Sequence, residues 1–457
     1  MKKLVLICAP ASSRSGYGDH ARDLIRAFIH NDNYDVKVFD VRWGECPRNA
    51  LDANNPRDIN ILNSITSPQE MDKNYPNRRP DVYVDIRIPN EFQQLGNFNI
   101  GITAGIETDM VSGKWIECCN KMDLVIVPSE HSKDMFVKSV YDAVQQMPDG
   151  SQQKVGELKL EKPMEVLFEG TDTNVFKPLK EEEIPFDFLN SINDLVSEEH
   201  AFLFTGLWGS GGPGEDRKDI HTLVKNFYEA FANKDKQPAL ILKTSGATFS
   251  ILDNEHMKRK IRDVKNLFPD DIKLPNVYLL HGSLSETEMN YLYNHPKIKA
   301  MISITHGEGF GRPLLEATMV GLPVIASNWS GQIDFLEDGL SILLGGDIQP
   351  VPKSAHWQDI ILPESSWFVV NQQDVYKSLS WVFNNTDEFR EKAKKLMKIN
   401  REKFSLQAMI DKLHEIIGVK IENVPALTSI KLPKLKKVEE KQPEPAKVKL
   451  PKLKKIK

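Results

Sequence analysis

Short apolar runs recur along this chain, separated by amphipathic stretches. In the first half they lie at 3–9, 36–39, 82–86, 100–103, 124–127 and 164–168. In the second half they lie at 201–205, 239–243, 277–280, 300–304, 322–326 and 341–344. Each is too short for a helix, and the longer ones are mostly apolar throughout, which suits strands of a parallel sheet covered on both faces. Helical patterns fall between them. Residues 19–29 put Leu24, Ala27 and Phe28 on one face, and Leu223, Phe227 and Phe231 recur at four-residue spacing within 219–232. Ser285 with Glu288 makes a capping box that opens a helix over 285–293, and Ser129 suits the cap of a helix running to about 140. Strands alternating with helices in both halves predict two doubly wound α/β domains, over 1–190 and 195–371. Ligands of such sheets sit at the carboxyl ends of the strands, so the site is expected in the cleft between the domains. Residues 372–419 are helical throughout and are expected to strap back across the domains. Residues 49–80 read as irregular surface and 141–162 as a polar, turn-rich insertion.

Around the strand at 300–304 the pattern becomes more specific. Pro313 suits the first position of a helix and Gly321 its left-handed stop. The preceding loop, 305–312, carries Gly307, Gly309 and Gly311 around Glu308 and Phe310. Little side-chain bulk shields its backbone N–H groups, which together with the positive end of the helix form a site for an anion such as phosphate. Glu316 follows Glu308 with seven residues between, inside an otherwise apolar helix where an unpaired carboxylate is costly. Something polar must meet it, and a sugar diol is a natural partner. A second glycine-containing loop, 206–217, delivers Arg217 and Lys218 to the start of a helix and reads as a flexible clamp for a diphosphate. Lys243 ends the next strand. Near the N-terminus, Gly16 and Gly18 lie between the first strand and the first helix, as at the opening of a Rossmann-like half.

The pair Glu308 and Glu316 closely resembles the Glu-x7-Glu signature of retaining glycosyltransferases of family four, which have the GT-B fold: two Rossmann-like domains facing across a cleft. Arg217 and Lys218, in Arg-Lys-Asp-Ile-x-x-Leu-Val, resemble that family's cationic pair, although the family more usually places an Arg after the strand-ending Gly, where Leu207 stands here. Segments 127–134, 169–176 and 281–293 also match, and 105–109 resembles the acceptor side of some members, with Glu107 the polar candidate. The resemblance spans about residues 1–418. It implies transfer of a sugar from a nucleotide-diphosphate sugar with retention of configuration. Glu308, Arg217 and Lys218 would be catalytic, with Glu308 orienting the sugar and the cations supporting the leaving group. Glu316 would hold the ribose, and Gly309, Phe310, Gly311, Lys243, Gly16, Gly18 and Glu107 would complete the donor and acceptor sites. The sequence has no Asp-x-Asp, so fixed cations rather than a metal are expected to meet the diphosphate charge. Two alternatives stand beside this reading: a non-catalytic binding protein on the same scaffold, and a nucleotide-sugar epimerase.

Composition narrows the setting. A chain of 457 residues is too long for one core, in keeping with two domains. No apolar run approaches the ~20 residues a membrane helix needs. The four cysteines have no metal spacing, and the adjacent Cys118 and Cys119 argue against a disulfide framework, so a reducing cytoplasm is expected. Net charge is −5, yet residues 428–457 carry eleven lysines against three glutamates, a net +8 that leaves −13 for the rest. Within that tail Lys-Leu-Pro-Lys-Leu-Lys-Lys occurs twice, at 431–437 and 449–455. Residues 420–457 cannot build a core and are expected to be disordered. Their charge suits a polyanion, either nucleic acid or an anionic membrane surface, and a modified nucleic-acid base or a glycan is an acceptor class to test. A solubilising or partner-binding extension is the competing reading.

Overall fold

The computed structural model describes residues 2–147, 152–246, 248–422 and 424. The first lobe runs β1 (Lys3–Ala9), α1 (Gly16–Ile29), β2 (Tyr34–Asp40), α2 (Pro56–Ser64), α3 (Pro68–Asn74), β3 (Val82–Ile86), β4 (Phe98–Ile102), α4 (Gly113–Cys119), β5 (Leu124–Val127), α5 (Glu130–Lys138), β6 (Tyr141–Gln146), β7 (Gln152–Leu158) and β8 (Met164–Val166). A linker helix, α6 (Phe186–Leu195), leads to the second lobe. There follow β9 (Ala201–Leu207), α7 (Ile220–Phe231), β10 (Ala239–Ser245), α8 (Ile251–Lys265), β11 (Val277–Leu280), α9 (Glu286–Asn294), β12 (Ile298–Ser303), α10 (Arg312–Met319), β13 (Val324–Ser327), β14 (Ile342–Leu344), β15 (Gly346–Pro350) and β16 (Ser366–Val370). Three helices close the described chain: α11 (Gln372–Asn384), α12 (Thr386–Lys403) and α13 (Leu406–Glu422).

The two main sheets are parallel throughout. The first has the order β2-β1-β3-β4-β5-β8 and the second β11-β10-β9-β12-β13-β14. Each order reverses direction once, between β1 and β3 in the first lobe and between β9 and β12 in the second. At such a reversal the loops from neighbouring strands diverge to opposite faces and leave a crevice at the carboxyl edge. The loops after β9 and β12 therefore border one crevice, and these are the loops that carry Arg217, Lys218 and Glu308. This is the GT-B architecture expected from the sequence.

Three segments differ from the sequence reading. Residues 49–80 contain α2 and α3, started by Asn55-Pro56 and Ser67-Pro68, the latter with a full capping box to Glu70. These cap signals outweigh the polar composition. The insertion at 141–162 is an antiparallel hairpin, β6 paired with β7. A second hairpin, β15 with β16, was not expected, and it reaches the first lobe: Asp109 N–H donates to Ser366 O at 3.0 Å, and Ser366 N–H donates to Asp109 Oδ1 at 2.7 Å.

The C-terminal helices cross between lobes. Arg401 in α12 donates to the carbonyls of Phe176, Thr173 and Met319 at 2.8, 3.0 and 3.1 Å. On α13, Met409, Leu413, Ile416 and Ile417 are buried in the first lobe's core with Leu24, Ala27 and Phe28 of α1. The strap is thus a structural part of the first lobe. The disordered tail expected over 420–457 falls, apart from 420–422 and 424, outside the described residues. No disulfide joins Cys8, Cys46, Cys118 or Cys119. No helix among the described residues is long and apolar enough to cross a membrane. Because Leu413 is fully buried, Leu413→Ala is expected to destabilise the first lobe by about 2–5 kcal/mol. Denaturant unfolding followed by fluorescence checks this, and a midpoint equal to wild type would remove α13 from that lobe's core.

Candidate active site

The loop after β9 folds back on that after β12. His306 N–H and Thr305 Oγ1 both donate to the Arg217 carbonyl, at 2.8 and 3.1 Å. The glycine loop is also tied internally, Gly209 N–H donating to Asp216 at 3.2 Å and Gly214 N–H to Asp219 at 3.0 Å. Arg217 and Lys218 are therefore held from behind, in place of the free arm expected from the glycines. Arg217 Nη1 donates to Gly307 O at 2.9 Å and to Glu308 Oε2 at 3.1 Å, while Lys218 Nζ ion-pairs with Glu308 Oε1. Glu107, from the first lobe, stands 3.5 Å from Arg217 Nε. The three residues expected to be catalytic are thus together, and the acceptor-side candidate faces them across the cleft.

The charges in this cluster are set by one another. Burial alone would raise the Glu308 carboxyl, but Lys218 and Arg217 outweigh it and hold the group below the ordinary carboxylate range. Burial lowers the Lys218 amine, and Glu308 offsets part of that effect. Glu308 N–H donates to Ser330 Oγ at 2.8 Å and Glu308 O accepts from Gly331 N–H at 2.9 Å, so its backbone is fixed on both sides. Sequence reasoning missed the support beneath. His306 stacks on Trp367 of β16 at 4.3 Å, and its Nδ1 lies 2.7 Å from Phe368 O. The only sequence signal for that support was the apolar Trp-Phe-Val-Val run at 367–370.

The glycines serve two ends. A Cβ on Gly307 would lie 2.0 Å from Glu107 O, and one on Gly309 only 1.8 Å from Ala104 O, both in the first lobe. Ser129 Oγ donates to Gly309 O at 2.6 Å. These two glycines therefore let the lobes meet backbone to backbone, a role beyond the ligand approach inferred from sequence. The reading of Phe310 as a ligand residue is corrected for its side chain, which is buried with Phe335 at 5.1 Å, so only its backbone is left for the cleft. Gly311, at φ 98°, opens α10. In the first lobe Gly16 starts α1, and Gly18, whose Cβ would meet Ser13 O at 2.1 Å, donates its N–H to the capping Ser15 Oγ at 3.1 Å.

Glu316 does find polar company. Arg312 Nε donates to one of its oxygens at 3.1 Å and Tyr293 OH to the other at 3.2 Å. Burial raises its carboxyl to about 7 in spite of Arg312. Glu169, which follows β8, is pushed up to about 8 by burial, again in spite of Arg312. Lys243 lies apart from the Glu308 cluster. Its Nζ donates to Gly282 O at 2.7 Å, and burial lowers it to about 8.

Residues 215–345 match the family model described as Glycosyl transferases group 1. The matched span contains Arg217, Lys218, Lys243, Glu308 and Glu316. The protein is a glycosyltransferase. No curated protein matches the chain. Solved structures match this glycosyltransferase over nearly its whole length. One is Anabaena Alr3699/HepE in complex with UDP and glucose, 13% identical, TM-score 0.54, covering 91% of this chain and all of that one. Another is the sucrose-phosphate synthase of Thermosynechococcus elongatus, 13% identical, TM-score 0.59, covering 92% of this chain and all of that one. A third is a glycosyltransferase from Rickettsia africae, 14% identical, TM-score 0.57, covering 92% and 99%. At such identities these likenesses establish the shared GT-B fold.

The raised carboxyl of Glu169 gives this glycosyltransferase a pH signature. The unfolded chain releases that proton near the ordinary 4.5, whereas the folded chain keeps it to about 8. Its contribution is therefore complete at low pH and is lost as pH rises between those values. Glu169→Gln is expected to flatten the fall in melting temperature from pH 5 to 8 and to be the more stable form at pH 8, by about 1–3 kcal/mol. Thermal denaturation across that range checks this, and parallel curves for the two proteins would refute it.

Proposed function

We propose that this glycosyltransferase moves a sugar from a nucleoside-diphosphate donor to an acceptor hydroxyl, with retention of anomeric configuration and with side-chain cations in place of a metal. The observation that carries the reading is the meeting of Arg217, Lys218 and Glu308 at the second lobe's crevice, opposite Glu107. Breaking the anomeric C–O bond develops negative charge on the departing diphosphate and positive charge on the sugar ring. Lys218 and Arg217 meet the first. Each has N–H donors beyond those Glu308 uses, so the diphosphate can engage them while Glu308 stays paired. Their presence also keeps Glu308 ionised and able to accept hydrogen bonds from sugar hydroxyls.

Glu316 is the proposed seat of the ribose. Its two oxygens each have one partner, and a carboxylate has about four acceptor positions, which leaves room for two adjacent hydroxyls. Lys243, one strand over, would serve the phosphate or base end of the donor. The helix α10 begins at this crevice and adds its N-terminal dipole. Support for the donor class comes from the GT-B fold shared with a protein solved with UDP and glucose. Support for retention comes from the resemblance of the Glu308–Glu316 spacing to the family-four signature. The acceptor enters from the side of Glu107, and its class is open to direct assay.

A thermal-shift screen over UDP-, GDP-, ADP- and dTDP-sugars, followed by turnover of the best binder, tests the reading. Binding without any transfer or hydrolysis would reduce the protein to a carrier of nucleotide sugars. Glu308→Ala and Lys218→Ala are each expected to lower kcat by about 10²–10³, with the circular dichroism spectrum unchanged. Glu316→Ala is expected to weaken donor binding by about tenfold, with a smaller effect on kcat. Normal donor affinity in that variant would exclude Glu316 from the ribose site.

A further inference from the structure

Arg312 occupies an unusual position. It lies in the first turn of α10 with a side chain only 8% exposed, and its guanidinium divides between the two lobes. On one side its Nε reaches Glu316 at 3.1 Å; on the other its Nη1 reaches Asp23 of α1 at 2.6 Å. Asp23 is itself buried and is gripped a second time by Arg26 at 2.9 Å. Glu286 of α9 stands 3.9 Å from Arg312 Nη2 and is tied at 2.9 Å to Arg57 of the first lobe. One buried cation therefore touches a carboxylate of the donor pocket and a carboxylate of the opposite lobe. The planar fork of an Arg can serve both at once, which a Lys point charge cannot do with the same geometry.

We propose that Arg312 is a positioning residue, which holds Glu316 as a carboxylate aimed at the donor's ribose and is itself fixed by Asp23 of the first lobe. The proposal rests on the donor pocket described under Proposed function and adds to it a dependence on a residue that does not line that pocket. The groups around Glu316 make a cation necessary. Asp19 faces it from α1, Glu286 and Tyr293 from α9, and Glu169 from the segment after β8, while Asp23 of α1 pairs with the other side of Arg312. Against these acids Arg312, on its own helix, is the opposing charge that touches it. Without Arg312 the carboxyl keeps its proton to higher pH, loses acceptor capacity, and no longer suits a pair of hydroxyl donors.

Calorimetric titration with UDP, GDP and ADP from pH 6 to 8.5 tests this, using whichever diphosphate binds wild type most tightly. The titration of the diphosphate itself is common to all variants and cancels in the comparison. Wild-type affinity is expected to rise with pH through the range, about 7 to about 8, in which Glu316 and its neighbour Glu169 ionise. Arg312→Gln should weaken binding about tenfold at pH 7 and move that midpoint upward by about one pH unit, so that affinity recovers at the alkaline end. Arg312→Lys should restore the midpoint but not the full affinity. Asp23→Asn should weaken binding about threefold at every pH without an upward shift, because the charge stays and only its tether is lost. A uniform loss in Arg312→Gln with an unmoved midpoint would make Arg312 merely structural and overturn the proposal. Wild-type affinity in Asp23→Asn would overturn the tether. Failure of wild type to bind any of the three would overturn the donor-pocket reading itself, and this inference with it.

Discussion

Glu308 stands between two cations that would otherwise repel one another in a buried crevice, and the rest of the site follows from that arrangement. Lys218 and Arg217 are adjacent in sequence, and both side chains turn onto the same carboxylate. Removing Glu308 would leave the largely buried Lys218 without its partner, a costly change, whereas the half-exposed Glu107–Arg217 pair at 3.5 Å contributes less and Arg217 would keep Glu308 without it. The site is thus electrically balanced before any ligand arrives, with two positive and two negative groups within 3.5 Å contacts. A dianionic ligand entering this cluster need not displace Glu308, because the cations have spare donors. The carboxylate that would orient the sugar is kept ionised by the groups that would hold the leaving diphosphate.

This balance depends on the lobes being close. Glu107 belongs to the first lobe, and it reaches Arg217 because Gly307 and Gly309 present bare backbone to residues 104–107. A Cβ at either glycine would lie within 2.0 Å of a carbonyl oxygen of the first lobe, so the two surfaces would have to part there. The Ser129 contact to Gly309 and the Asp109–Ser366 pair fix the same approach from either side. Arg312 closes it from behind. The crevice is therefore defined by main-chain contacts at its mouth and by one buried guanidinium at its back.

Much of this was legible in the sequence because the signals were local. Apolar runs bounded by glycine and proline gave the strands, and β1, β3, β5 and β11 match the expected ranges residue for residue. The seven-residue gap between Glu308 and Glu316 placed one acid in a loop and the other a turn into a helix, as observed. What escaped was non-local or masked by composition. Helices α2 and α3 lie in a polar stretch where caps rather than apolar periodicity carry the signal. The β15–β16 hairpin matters through Trp367 beneath His306, a contact 61 residues apart in sequence that no local pattern encodes. Phe310 looked like a ligand residue by its position between Gly309 and Gly311, yet a lone aromatic in a glycine loop is as well suited to anchoring that loop in the core. Arg312 was read past altogether, because its partner Asp23 lies on another lobe.

The overall charge sharpens what these few cations must do. Outside the basic tail the chain carries a net −13, which on its own would oppose entry of a diphosphate. At physiological ionic strength such a field fades over about 8 Å, whereas contacts of 3 Å inside a crevice are barely screened. The short-range term therefore decides, provided the cations cannot swing out to pair with the surrounding acids. That is the physical reason for holding Arg217 by its own carbonyl, through Thr305 and His306, as well as by its side chain. In an acidic body, pinned cations of this kind give the crevice a local positive charge that the chain as a whole lacks.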